Sequence, residues 1–183
     1  MRLAVLVSGS GTLLEAMLSE AIPIAVVLAD RPCRGLAVAE QAGVHAVLVE
    51  RTNFGPAFDR AGHTELVVEA LRAHDVDTVA LAGYMTILSP TMLSAFPDRV
   101  LNTHPSLLPS FKGAHPVRDA LAAGVTVTGC TVHVATAEVD AGPILAQEAV
   151  AVRPDDDEAT LHERIKAVER RLYPATIKEL LRS

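Results

Sequence analysis

Short, continuously apolar runs alternate along the first half of the chain with segments whose apolar residues recur every three or four positions. Residues 3–9 (LAVLVSG), 23–30 (PIAVVLAD), 44–50 (VHAVLVE) and 77–83 (DTVALAG) are brief and Val-rich, and read as strands buried on both faces. Between them, 12–21 (TLLEAMLSEA), 36–43 (LAVAEQAG) and 65–75 (ELVVEALRAHD) take helical spacing, with Gly43 as the stop of the second helix. This β-α-β-α-β-α-β order predicts an α/β domain with a mostly parallel sheet.

The second half changes character. RVLNTH (99–104) is a fifth strand and VRDALAAG (117–124) a short helix. Residues 126–135 and 142–152 are strands joined by the turn-like TAEVDAG, and such a short connection predicts antiparallel pairing. Residues 155–181 form a long terminal helix, with a bend expected at Pro174. No repeat, low-complexity tract or linker interrupts the pattern, so one domain is expected over 1–183.

Composition narrows the function classes. Half of the residues are hydrophobic but only 3% are aromatic, so the core is built from Ala, Val, Leu and Ile. The net charge is −6 and no basic run occurs, which argues against nucleic acid as a partner. Cys33 and Cys130 are far apart and neither belongs to a C-x-x-C pair, so neither a disulfide framework nor a zinc site is expected, and a reducing cytoplasm fits. No segment has the length and apolarity of a signal peptide or membrane span.

Three stretches carry candidate chemistry. In SGSGTLLEA (8–16), Gly9 and Gly11 permit a tight turn, and the free N–H groups of the helix start face outward. A phosphate monoester, a dinucleotide and a plain strand–helix turn all remain open there. Leu14 occupies the third glycine position of G-x-G-x-x-G, while Asp30 ends the second strand where a ribose-binding acid is expected. In VLNTHPSLLP, Asn102 and His104 share one side of the strand end, and Pro105 and Pro109 stiffen the exit. An amide beside an imidazole can hold an oxygen as it becomes an oxyanion; a turn-forming Asn and a backbone-satisfied His are the blander alternative. Asp140, in the turn before Gly142 and Pro143, can pair with His104 and favour its imidazolium form, or be a solvated turn residue. His133 reads as structural, His115 as either a site or a loop residue, and residues 155–158 (DDDE) as helix-start acids.

Taken together, SGSGTLLEA, LAGYMTILSP, NTHPSLLPSFKGAHPVRDAL, GCTVHV, EVDAGPILAQ and RRLYPATI resemble, in that order and over nearly the whole chain, the glycinamide ribonucleotide formyltransferases of purine synthesis. The resemblance implies a Rossmann-like formyltransferase fold, a mostly parallel sheet with antiparallel C-terminal strands and a long terminal helix. It implies formyl transfer from 10-formyltetrahydrofolate to the amine of glycinamide ribonucleotide, without metal, in the cytoplasm, with small-molecule partners and a homodimer as the assembly. The family's catalytic triad falls on Asn102, His104 and Asp140. Its phosphate loop falls on Gly9, Ser10, Gly11, Thr12 and Leu13, and its glutamate at the substrate amine end on Glu169. Its folate pocket is similar to Met85, Thr86, Ile87 and Leu88, with Thr136 in the loop reaching to Asp140 and a family arginine at Arg60.

The chain departs from the family in three places. Thr12, Leu13 and Leu14 stand where members often read Ser-Asn-Leu. Thr86 stands where many carry Arg. Lys112 stands where the purine enzymes often have Pro, a detail similar to formyltetrahydrofolate hydrolase. A hydrolase-like activity is therefore the alternative within the chemistry, although that family carries an extra N-terminal sensing domain. A non-catalytic nucleotide-binding module is the alternative outside it.

Overall fold

A computed structural model describes Met1–Arg182. Its elements run β1 (Leu3–Val7), α1 (Thr12–Ser19), β2 (Ile24–Ala29), α2 (Arg34–Gln41), β3 (Ala46–Leu48), α3 (Arg60–Arg72), β4 (Thr78–Leu81), α4 (Pro90–Ala95), β5 (Val100–His104), α5 (Pro116–Ala122), β6 (Val127–Val134), β7 (Ile144–Ala151) and α6 (Glu158–Arg182). The strand order is β3-β2-β1-β4-β5-β6-β7. The described residues fall into two compact units, one over Met1–Leu101 and one from Asn102 onward, with the boundary inside β5.

The first unit is the parallel half. β1 pairs with β2 and with β4, β2 with β3, and β4 with the start of β5, all parallel. The apolar runs explain this arrangement: all five residues of β1 are fully buried, as are Val26, Val27, Leu28 and Ala29 of β2. A strand this apolar on both faces is stable only when helices cover both sides. The first turn of α1 is held by Gly11, whose φ of 73° lies in the left-handed region. A Cβ there would come within 2.8 Å of the Gly35 Cα, so the loop and the start of α2 approach closely because neither carries a side chain.

In the second unit, β6 and β7 pair antiparallel from Val127↔Ala151 to His133↔Ile144, as their short connection predicts. Val117, Cys130, Val150, Leu161 and Ile165 form its core. α6 is a single helix that runs through the buried Pro174.

Several boundaries differ from the sequence pattern. α3 begins five residues before the expected position, because the Asp59 side chain accepts the Gly62 N–H and caps a start that apolar spacing does not mark. α2 is shifted two residues towards its N-terminus, and β3 is cut to three residues. α4 was not expected at all: PTMLSA is too short for a periodicity, and only its leading proline and Ser89 mark it.

Candidate active site

β5 ends in Asn102, Thr103 and His104, and strand alternation puts Asn102 and His104 on one face and Thr103 on the other. His104 is 5% exposed. Its Nδ1 lies 3.4 Å from Asp140 Oδ2, and its Nε2 lies 2.8 Å from the Phe111 carbonyl oxygen. Carbonyl and carboxylate oxygens only accept, so a proton on each ring nitrogen satisfies both contacts. Both acceptors sit on left-handed backbone, with φ of 52° at Asp140 and 55° at Phe111. Non-glycine residues hold such angles at a cost of about 1–3 kcal/mol, and such strain clusters at functional sites.

Asp140 is anchored as well as placed. Its Oδ2 accepts the Gly113 N–H at 2.9 Å. The turn that carries it closes on Gly142, where a Cβ would meet the Val134 carbonyl oxygen at 1.8 Å, so only glycine fits. Lys112 lies across from this turn and bonds Glu138 Oε1 at 3.1 Å.

His133, read from sequence as structural, belongs to the same cluster. It is 1% exposed on β6, and its Nε2 lies 3.3 Å from Asn102 Nδ2 and 3.7 Å from Asp140 Oδ1. Its Nδ1 faces the Val134 carbonyl at 3.0 Å. Burial holds its pKa below the ordinary histidine value, which keeps the ring neutral. With Nδ1 donating to Val134, the Nε2 lone pair accepts from the Asn102 amide and fixes its orientation. The available signal is positional: a histidine between two valines inside a predicted strand.

Glu169 lies on α6 and hydrogen-bonds the Thr103 hydroxyl, which faces away from Asn102 and His104. Burial raises its carboxyl pKa above the usual range despite that bond. The same hydroxyl lies 3.3 Å from Cys130 Sγ, and burial pushes that thiol up to about 12. The Thr103 contact therefore joins Glu169 to the opposite face of the strand from Asn102 and His104. Thr136 is exposed, and its hydroxyl bonds the Glu138 carbonyl at 3.0 Å within the turn. His115 precedes Pro116 at the start of α5.

The first unit holds the other candidates. Gly9, Ser10 and Thr12 are exposed, Gly11 and Leu13 are buried, and no side chain caps the start of α1. The first-turn N–H groups are thus open to an anion. Arg34 donates to the Ser10 carbonyl at 2.7 Å and pairs with Glu15, offsetting an acidic charge that would otherwise repel an anion at this helix start.

Asp30 is fully buried and does not wait for a ribose. Arg31 donates to it twice, at 3.0 and 2.8 Å, and the Thr86 hydroxyl donates at 2.7 Å. Burial raises its carboxyl pKa, but the Arg31, Thr86 and Ser8 bonds together outweigh that and leave it lowered. The acid that kept a dinucleotide reading open is instead the anchor of the 85–88 segment. The Met85 N–H bonds Ser8 Oγ at 2.8 Å, Thr86 is buried, and Met85 and Ile87 project with 70% and 62% exposure, flanking a half-buried Leu88. Arg60 opens α3 on the surface, and its carbonyl accepts the Thr64 hydroxyl at 2.7 Å.

Comparison with known proteins matches this chain to the formyl transferase family model over residues 1–177. A phosphoribosylglycinamide formyltransferase of Mycobacterium tuberculosis (strain ATCC 25618 / H37Rv) is 48% identical over 184 residues, covering 98% of this chain and 84% of that protein. Among solved structures, glycinamide ribonucleotide transformylase 1 of Symbiobacterium toebii superposes with a TM-score of 0.89 at 44% identity, covering 97% of this chain and 85% of that one. Phosphoribosylglycinamide formyltransferase of Streptococcus pneumoniae TIGR4 gives 0.90 at 38% identity, with 98% of each chain covered.

Proposed function

The chain belongs to the formyl transferase family, and from that premise we propose that Asn102, His104 and Asp140 carry its chemistry. It transfers the formyl group of 10-formyltetrahydrofolate to the amine of glycinamide ribonucleotide, a step of purine synthesis. The observation that carries the residue assignment is the His104 Nδ1–Asp140 Oδ2 approach of 3.4 Å at the end of β5.

The substrate amine nitrogen attacks the formyl carbon, and the carbonyl π pair moves onto oxygen. The Asn102 amide and the His104 Nε2–H, which exchanges the Phe111 carbonyl for the substrate, donate to that oxygen, which is worth most in a water-poor site. Asp140 accepts from His104 Nδ1 and holds the ring in that orientation. The proton lost by the attacking nitrogen reaches the folate nitrogen as the C–N bond to it breaks, through His104 and Asp140 or a water. The substrate phosphate sits on Gly9, Ser10, Gly11, Thr12 and Leu13, held by backbone N–H groups, so the Leu13 side chain costs little there. Arg60, Met85, Thr86, Ile87, Leu88 and Thr136 serve the folate side, and Glu169 the amine end through Thr103. The Glu169 carboxyl bonds the Thr103 hydroxyl on the far face of β5.

We further read residues 1–183 as one functional domain acting in the cytoplasm, as a homodimer. Among the described residues no helix is long and apolar enough to cross a membrane.

The test is formyl transfer from 10-formyltetrahydrofolate with and without glycinamide ribonucleotide, alongside His104→Ala. We expect turnover that requires the ribonucleotide and falls about 10²–10³-fold in the variant, the scale of losing one oxyanion donor. Formate released at the same rate without the ribonucleotide would assign the chain to hydrolysis instead.

A further inference from the structure

We propose that Arg34 is a positioning residue for the ribonucleotide phosphate: its guanidinium holds the Ser10 carbonyl aside, so that the peptide presents the Gly11 N–H to the anion. The inference rests on the reading of residues 9–13 as the phosphate's cradle.

Arg34 is the first residue of α2, and it reaches across to the loop that precedes α1. Its Nη1 donates to the Ser10 carbonyl oxygen at 2.7 Å. The next residue adds a second hold, because the Gly35 N–H donates to the Gly9 carbonyl oxygen at 3.0 Å. Both loop peptides are trans. In a planar trans peptide the N–H points opposite to the C=O. With the two carbonyls turned to α2, the Ser10 and Gly11 N–H groups face away from it and join the open first-turn N–H groups of α1 as anion donors.

The Ser10–Gly11 peptide is the one that needs such a hold. Glycine populates positive and negative φ about equally, so this peptide can flip at little cost. Flipped, it would present its carbonyl oxygen to the phosphate and repel it. The holding residue has a fixed origin. A Cβ on Gly11 would come within 2.8 Å of the Gly35 Cα, and a Cβ on Gly35 within 2.8 Å of Val7 Cγ2, so the backbone at the start of α2 rests directly on the loop and on β1.

Glu15 fixes the far end of the guanidinium. Arg34 Nη1 donates to Glu15 Oε2 at 3.1 Å, and Nη2 pairs with Oε1. An exposed ion pair adds little to stability by itself. Its consequence here is direction: the bidentate fork leaves the second Nη1 hydrogen aimed at Ser10. The pair also cancels a first-turn carboxylate that would oppose a phosphate dianion at this helix start.

The experiment compares Arg34→Ala, Arg34→Lys and the double variant Arg34→Ala/Glu15→Gln with the unmodified chain. The Arg34 side chain is 56% exposed, so its substitution should leave the fold intact. Ribose 5-phosphate is titrated against isotope-labelled protein while NMR follows the Ser10 and Gly11 amides, and turnover with glycinamide ribonucleotide is measured in parallel. Expected for Arg34→Ala is about tenfold weaker binding of ribose 5-phosphate, the scale of one lost hydrogen bond to a charged group. The ribonucleotide KM should rise in proportion, with kcat and the KM of the formyl donor unchanged. Arg34→Lys, which keeps one donor, should recover part of the loss. The double variant should stay as weak as Arg34→Ala, because the hold on Ser10 is still missing. Full recovery in the double variant would mean that Arg34 only cancels Glu15 and would overturn the proposal. So would unchanged binding in Arg34→Ala, or a rise in the KM of both substrates together, the mark of a general structural role. Arg34-dependent binding of ribose 5-phosphate without ribonucleotide-dependent turnover would sink the proposed function and still support this one. Turnover with Ser10 and Gly11 amides that ribose 5-phosphate leaves unmoved would sink this one alone.

Discussion

At the end of β5 the side-chain contacts differ in kind, and that difference assigns unequal weight to the residues. His104 is held at both nitrogens, Asp140 meets it at 3.4 Å, and Asn102 is aimed by His133 at 3.3 Å. Asp140 carries the charge and His133 only an orientation, so their removal should differ in size. Asp140→Asn keeps an oxygen for the Gly113 N–H but loses the charge, and kcat should fall about 10²–10³-fold. His133→Leu leaves the Asn102 amide without its acceptor, which should cost about tenfold in kcat. His133→Gln returns an acceptor and should recover part of that loss. Steady-state kinetics on the three variants decides it: His133→Leu as damaging as Asp140→Asn would make His133 more than an orienting group. The triad was legible in the sequence because strand alternation and a proline-stiffened exit define a direction for Asn102 and His104. The role of His133 was not, because it depends on which strand lies beside β5. Glu169 shows the opposite limit: its position was legible, but its contact with Thr103 places it behind the strand.

Among the elements, the strand-to-helix loop and the turn before β7 solve the same problem with glycine, and the consequences should separate stability from catalysis. Gly142→Ala places a Cβ on the Val134 carbonyl, so the turn carrying Asp140 must open. We expect a loss of about 1–3 kcal/mol of stability, typical of overpacking. A fall in kcat should accompany it, because Asp140 moves away from His104. Gly43→Ala is the control: its φ of 70° makes alanine cost about 1–2 kcal/mol, but open space surrounds it, far in sequence from the triad. Thermal unfolding should register both variants and kcat only the first; an unchanged kcat in Gly142→Ala would mean that the turn does not set Asp140. The elements themselves were legible wherever burial dictated the pattern, as in β1, where every residue is buried. They were misplaced where capping or brevity decided: α3 starts at an Asp59 cap, and α4 spans six residues. The hold on the strand-to-helix loop was illegible for a third reason. Ser10, Glu15 and Arg34 are up to 24 residues apart and meet only after folding, so Arg34 has no local signature.

For the whole molecule, the buried histidines set how stability responds to acid. His63 and His133 are 6% and 1% exposed, and burial is the leading cause that lowers both pKa values below the ordinary 6.5. His162 is lowered in the same direction, first by burial and then by Lys166. Above pH 6.5 these groups are neutral in folded and unfolded chains alike and contribute no pH dependence. As the pH falls below that value the unfolded chain takes up protons that the folded one resists, so stability drops towards the lowered folded values. Each fully resistant group contributes at most about 1.4 kcal/mol per pH unit, so His63 and His133 together should dominate the slope just below pH 6.5. Glu169 acts with the opposite sign. Its raised carboxyl pKa means that the unfolded chain releases its proton first, so stability is lost as the pH rises from 4.5 through the folded value. Glu169→Gln should therefore be more stable than the unmodified chain at neutral pH, and the difference should vanish below about pH 4.5, the ordinary value of this carboxyl. Urea unfolding from pH 4 to 8 on both proteins measures the two effects at once. A Glu169→Gln protein that is less stable at neutral pH would mean that the ionised carboxylate is stabilised by its surroundings, contrary to the buried, Thr103-bonded position seen here.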